Sequence, residues 1–316
     1  MSLTIRIILV GLMMGAAEVV PGVSGGTIAF VSGLYDRLVH AIQHFNPVRL
    51  YALRKLSIAQ LWAQLDINFL LLLFGSMFVA ILSLARGVGY LLEYHPILIW
   101  SFFFGLVLAS VYSVGRKLKP FNIEVVMAVA CGVMVGVIFT RIMPIEADTT
   151  PLMLFLGGSI AVCAWILPGL SGSFILLILG LYPTVIGAVR DLDIQTLAYV
   201  AVGCVVGIVS FSKLLAALLD RFHTITVAVL VGFMMGSLGK IWPWQRTISY
   251  QIKEDGKQVP VVQEPVMPEA YHQLTGSDPN LVGALLACLL GIAIILVLDR
   301  FAFLAEAEPD WHEDKG

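Results

Sequence analysis

The sequence predicts an all-α integral membrane protein built from two inverted-topology repeats. Each repeat is a broken, re-entrant helix pair followed by three transmembrane helices. Three observations predict this: an apolar composition laid out in long runs, a Pro-Gly-x-Ser-Gly break that occurs twice, and an odd number of crossings in each copy. Of the 316 residues, 59% are hydrophobic and 13% charged, against roughly 45–50% and 25% in a soluble domain. Runs of about 20 apolar residues recur, the length a helix needs to cross the hydrocarbon. A formal net charge of −2 offers no basic field for nucleic acid. Residues 1–17 are apolar but continue directly into a helical pattern, with no small-residue cleavage site, so they read as a first helix and not as a signal peptide. Cys131, Cys163, Cys204 and Cys288 are widely spaced inside apolar runs. That spacing fits neither a disulfide framework nor a metal site, and no cofactor is expected.

The repeat is read from three matches in the same order. Pro21-Gly22-Val23-Ser24-Gly25, then seven residues, then Gly33-Leu34-Tyr35 recurs as Pro168-Gly169-Leu170-Ser171-Gly172, seven residues, and Gly180-Leu181-Tyr182. Ile81-Leu82-Ser83-Leu84-Ala85-Arg86 matches Ile208-Val209-Ser210-Phe211-Ser212-Lys213, and the segment 105–110 matches 232–237. The chain therefore divides into a first repeat, 1–150, and a second, 151–316, the latter carrying a polar loop at 241–280. Long apolar segments follow each break, at 67–90, 96–115 and 123–142, then at 195–219, 224–240 and 281–299. A broken pair contributes an even number of crossings whether it dips or spans. Three more make the total odd, so the second copy must sit upside down relative to the first. Secondary transporters have this arrangement, with the site near the midplane at broken helices.

Loop charge sets the direction. Arg49, Arg54 and Lys55 share a side with Arg116, Lys117 and Lys119, two crossings away. That side is expected to be cytoplasmic and to hold both termini. The turn at Glu146 and Asp148 and the loop 241–280 fall outside, and the acidic tail beyond Phe303 reads as a disordered end.

The chemistry is expected at the breaks. Non-helical backbone at membrane depth is tolerated only against protein or a water-filled cavity. In the first copy Gly22, Gly25 and Gly26 let the chain turn, Ser24 and Thr27 add hydroxyls, and a helix starting near Thr27 aims its free N–H groups back at the break. The second copy offers Gly169, Ser171, Gly172 and Ser173. Helix N-termini attract anions, and two of them facing each other would hold a phosphate from both sides; a close-packing break between helices is the plainer alternative. No Lys follows the glycines, so this is not a Walker A loop. Glu18, three residues before Pro21, is an acid in an apolar run, which points to function or to a local capping role. Trp165 stands at its place in the second copy. Arg86 and Lys213 are repeat-related cations within apolar segments, positioned to serve the phosphate in alternate access states or to snorkel to the interface. His95 and His223 begin matching helices, and Trp242 and Trp244 read as interfacial belt residues.

Taken together, the stretch from Ala17 through Phe30, with Gly33-Leu34-Tyr35 behind it and the weaker copy Leu167-Pro168-Gly169-Leu170-Ser171-Gly172, resembles the polyprenyl-phosphate transporter family. The resemblance runs across nearly the whole chain. It implies a flippase that returns undecaprenyl phosphate from the outer to the inner leaflet of the bacterial plasma membrane, for carrier-lipid recycling in cell-wall synthesis. It also implies membrane lipids as partners, and leaves a homo-oligomer open. The residues alone reach an anion-binding inverted-repeat transporter. A small-anion transporter or channel is one rival. A membrane polyprenyl-pyrophosphate phosphatase is another, less favoured because Gly25 stands where that enzyme motif has its Arg and no Glu-x-x-x-Glu pair occurs.

The topology has a direct test. Single cysteines placed at residues 55 and 118 should be labelled from the same face of the membrane; labelling from opposite faces would exclude the inverted arrangement.

Overall fold

Leu3–Glu18 forms α1, a helix of 16 residues. At 1.5 Å per residue it is about 24 Å long, short of the ~30 Å hydrocarbon core. The computed structural model describes residues 3–20, 23–45, 51, 56–142, 149–252 and 258–306. Pro21 and Gly22, the basic residues at 49, 54 and 55, the acids at 146 and 148, and the tail from 307 lie outside the described residues.

After α1 come two short helices, α2 (Gly25–Val31) and α3 (Tyr35–Gln43), then a surface helix α4 (Ile58–Gln64), which is started by a capping box between Ser57 and Gln60. Three long helices follow: α5 (Ile67–Tyr94), α6 (Pro96–Gly115) and α7 (Ile123–Arg141). Asn122 caps α7 by accepting from Val125 N–H. The second half runs through α8 (Pro151–Ile166), α9 (Gly172–Ile178), α10 (Tyr182–Asp191) and α11 (Ile194–Ser237). A 3-10 turn at Leu238–Ile241 leads to a hairpin of β1 (Gln245–Ile252) and antiparallel β2 (Gln258–Pro265), then α12 (Pro268–Thr275) and α13 (Leu281–Glu306). Among the described residues five helices are long and apolar enough to cross a membrane, so the chain is a multi-pass membrane protein. With its 3-10 extension α11 reaches 48 residues, about 72 Å if straight. It is not straight: Phe222 has non-helical φ −135° and ψ 45°, and splits it close to where the apolar pattern predicts two segments.

The two halves share backbone detail at matching positions. Ser24 (φ −112°, ψ 130°) and Ser171 (φ −109°, ψ 133°) precede α2 and α9, each of seven residues. Gly33 and Gly180 both take positive φ, 74° and 68°, the conformation that glycine adopts without penalty. His95 (φ −135°, ψ 49°) breaks the chain between α5 and α6 as Phe222 breaks α11. The second short pair, α9 and α10, is bent by 113°.

Helices meet through glycine. A Cβ on Gly105 would lie 2.1 Å from the Cys288 carbonyl oxygen, and one on Gly291 would lie 2.1 Å from that of Phe102, so α6 and α13 touch backbone to backbone. Gly132 and Gly232 do the same for α7 and α11, at 2.1 Å from the carbonyls of Val229 and Val129. Without a hydrophobic drive between helices in lipid, such close approach supplies the packing energy.

Charged groups collect at one end of the bundle. Arg37 forks onto Asp66 at 2.6 and 2.9 Å and lies 4.4 Å over the Phe69 ring. Arg116 and Lys117, at the end of α6, both meet Asp299 in α13. His40 reaches Asp220 at 2.9 Å and His223 reaches Asp36 at 3.2 Å, tying α3 to the α11 kink, and Arg6 donates to the Ser32 carbonyl. The segment expected as a polar loop at 241–280 carries the hairpin and α12, and Trp242 at its start packs edge-on against Phe104 of α6, with centroids 5.3 Å apart. The Trp242 and Trp244 indoles donate to the carbonyls of Val266 and Pro279, each at 2.8 Å.

Gly232→Ala should destabilise the protein by about 1–3 kcal/mol, the cost of overpacking a close contact, whereas Gly75→Ala, where a Cβ meets nothing within 4 Å, should leave it unchanged. Thermal unfolding of the detergent-purified variants measures the difference.

Candidate functional site at the two helix breaks

Although 141 residues apart in sequence, Ser24 and Trp165 touch. The two breaks meet. Ser24 caps α2, its Oγ accepting from Gly26 N–H at 3.1 Å and donating to the Trp165 carbonyl at 3.1 Å. Thr27, fully buried, accepts at Oγ1 from Gly169 N–H at 3.0 Å. Glu18 Oε1 accepts from Gly25 N–H at 2.6 Å and from the Trp165 indole at 2.8 Å. Trp165 in turn stacks on Phe74, with centroids 6.0 Å apart. Backbones come close here as well: a Cβ on Gly26 would lie 2.8 Å from the Ile166 carbonyl, and one on Gly172 would lie 2.7 Å from that of Ala161. Gly169 has φ +94° and faces Ser237 Oγ at 2.8 Å from a built Cβ.

The helix after the first break begins at Gly25, with Ser24 as its cap, two residues before the start expected near Thr27. A Ser at the N-cap satisfies its own helix, which is why the helix reaches back to it. As a result the donors of the first break are engaged in this conformation. Gly25 N–H is taken by Glu18, Gly26 N–H by Ser24 Oγ, and Thr27 N–H by the Ser24 carbonyl at 3.1 Å. Glu18 thus occupies the place where an anion would sit at α2. The second break lacks such a carboxylate. Ser171 Oγ and Ser173 Oγ bond each other at 2.7 Å. Among the described residues, the N–H groups of Gly172 and Ser173 meet no acceptor.

Of the sequence-predicted residues, Glu18, Ser24, Gly25, Gly26, Thr27 and Gly169 form one connected cluster, with Ser171, Gly172 and Ser173 beside it. Gly22 lies outside the described residues. Arg86 and Lys213 are not enclosed: both are exposed on the outer surface of α5 and α11. The Glu18–Trp165 bond goes unpredicted, yet the repeat contains its signal. The two residues stand at equivalent positions of the repeated motif, three residues before Pro21 and Pro168. Asp299, 2% exposed near the end of α13, also goes unpredicted, although an acid in an apolar run is the same signal that picks out Glu18.

At the charged end, a cleft of about 250 Å³ lies between α3, α6 and α11, lined by Phe30, Tyr35, Asp36, Lys117, His223 and Val227 among others. The buried Tyr35 hydroxyl has no hydrogen-bond partner there among the described residues. Among the described residues no three His, Cys, Asp or Glu side chains gather as a metal site would require.

The sequence profile of the undecaprenyl phosphate translocase-like family matches residues 14–259. A polyprenyl-phosphate transporter of Vibrio cholerae is 41% identical over 292 residues, covering 92% of this chain and 95% of that protein. A polyprenyl-phosphate transporter of Staphylococcus aureus is 30% identical over 254 residues, covering 75% and 85%. No solved structure matches the chain.

The Glu18 carboxylate has a role that can be separated from its charge. Glu18→Ala strands two donors, and leaving a buried donor unpaired costs about 1–3 kcal/mol each. Glu18→Gln keeps an acceptor oxygen in place. Chemical denaturation should show the alanine variant clearly destabilised and the glutamine variant close to the parent; equal loss in both would mean that the hydrogen bonds are not what matters.

Proposed function

We infer the function from the premise that this chain belongs to the undecaprenyl phosphate translocase-like family. It carries a polyprenyl phosphate, of the undecaprenyl class, from the outer to the inner leaflet of the bacterial plasma membrane, returning the carrier lipid for cell-wall synthesis. The family match and the two relatives named as polyprenyl-phosphate transporters support this substrate. The observation that carries the mechanism is the meeting of the two breaks through Thr27, Ser24, Trp165 and Gly169.

The halves, 1–150 and 151–316, form an inverted pair in this reading. The turn at His95 lies near the start of α13, since Leu98 lies 2.8 Å from a Cβ built on Gly283. The matching kink at Phe222 lies near the far end of α13, since His223 lines a cleft with Lys117, the partner of Asp299. Equivalent turns at opposite ends of one helix are what an inverted repeat requires. The charged end is assigned to the cytoplasm with both termini, from its excess of Lys and Arg.

A charged phosphate head cannot cross hydrocarbon without partners. The joined breaks supply them midway, while the tail stays in lipid. The head first meets the second break, where Ser171, Gly172 and Ser173 have donors to spare, and then gains the Gly25 N–H as Glu18 withdraws and the Gly26 N–H as Ser24 Oγ turns away. Arg86 and Lys213, exposed on outer faces, serve the head on its way in and out.

Binding of a short-chain polyprenyl phosphate to purified protein tests this, with the matching alcohol as control. Ser173→Ala should weaken phosphate binding by about 1.5–3 kcal/mol, the cost of one hydrogen bond to a charged group, and leave the alcohol unaffected. Equal binding of phosphate and alcohol would reduce the breaks to packing features.

A further inference from the structure

The second break sits at the margin of the packed bundle. Around the first break, Val20, Val23 and Ile28 are 0%, 2% and 1% exposed and belong to the main core. Their counterparts at the second break behave differently. Leu170 and Ile175 belong to a separate cluster of seven buried residues, and Leu167 is partly exposed. Against this smaller cluster opens a groove of about 210 Å³ with no polar lining, between α7, α8, α9 and α11. Its walls include Val135, Phe139, Ile160, Leu167, Leu170 and Phe233.

Two features say what fits it. The first is continuity. Leu167 and Leu170 are the residues flanking Pro168-Gly169, so the wall of the groove is the break itself, and Gly172 and Ser173 follow within a few residues. A ligand whose head rests on the second break has its next atoms at the mouth of the groove. The second is size. An apolar cavity of about 150 Å³ accommodates a benzene ring, six carbons, so 210 Å³ accommodates about one to two five-carbon units.

We propose that this groove binds the first one or two isoprene units next to the phosphate, so that the protein recognises the phosphate–prenyl junction and not the head alone. The inference rests on the proposed function for its head site. The groove contributes branched, fully apolar walls to a branched, fully apolar chain segment, while the rest of the tail remains among lipids. Chain-length dependence of binding therefore rises steeply over the first units and then levels off.

The test uses the detergent-purified full chain with farnesyl phosphate, farnesol and dodecyl phosphate. The parent should prefer farnesyl phosphate to dodecyl phosphate. Val135→Trp and Ile160→Trp add bulk from two different walls at positions that are not fully buried. Each should weaken farnesyl phosphate tenfold or more. A photoreactive farnesyl phosphate carrying its label on the first isoprene unit should crosslink the parent protein at the groove walls, and this readout needs no variant to fold. Crosslinks confined to other helices, or unchanged farnesyl phosphate binding in both tryptophan variants, would overturn the groove while leaving phosphate recognition standing. Equal binding of farnesol and farnesyl phosphate, both lost in the tryptophan variants, would instead uphold the groove and remove the head site.

Discussion

Backbone interrupted at membrane depth must find partners within the protein, because hydrocarbon offers none. Here that constraint is met by joining two interruptions. Thr27 takes the Gly169 N–H, Ser24 donates to the Trp165 carbonyl, and Glu18 collects both the Gly25 N–H and the Trp165 indole. Neither break would be complete alone. This set of bonds ties α1 to α8, beside the backbone contacts of α6 with α13 and of α7 with α11 that also join the two halves. Each break supplies what the other lacks.

The duplication is close in backbone and loose in side chains. Ser24 and Ser171, Gly33 and Gly180, and His95 and Phe222 repeat each other's dihedral angles within a few degrees. Glu18 and Trp165 do not repeat each other at all; they bond. An acid facing an indole satisfies both, where two acids would repel and two indoles would leave donors unpaired. The asymmetry also separates the breaks in structure: the first is closed on the Glu18 carboxylate, and among the described residues the second keeps unpaired N–H groups beside an apolar groove.

Most of the helical plan was legible in the sequence because hydropathy and break chemistry are local. The long segments at 67–90, 96–115 and 123–142 are the helices Ile67–Tyr94, Pro96–Gly115 and Ile123–Arg141. The division of α11 at Phe222 follows the same apolar pattern. The hairpin of β1 and β2 was not legible. Its polar residues resemble any loop, and the segment closes on itself through indole hydrogen bonds from Trp242 and Trp244 to carbonyls 24 and 35 residues further on. The composition of the site at the first break was legible, but its state was not. Whether the Gly25 N–H is free or taken depends on where Glu18 turns, and that is decided by Trp165, 147 residues away. Arg86 and Lys213 show the same limit. An apolar segment tells that a cation is in a membrane helix, not which way it faces.

The glycine contacts carry a consequence for motion. Where Gly105 meets the Cys288 carbonyl and Gly291 meets that of Phe102, the two helix backbones are engaged like teeth, and so are those of α7 and α11. Helices meshed this tightly resist sliding, since any small shift drives a carbonyl into a Cα; close-packed interfaces move between discrete arrangements instead of deforming smoothly. α6 with α13, and α7 with α11, therefore act as stiff struts. Any rearrangement of the molecule has to pivot between such struts, at joints less tightly meshed: at the seam between the two breaks a Cβ on Gly26 would lie 2.8 Å from the Ile166 carbonyl, against 2.1 Å within the struts.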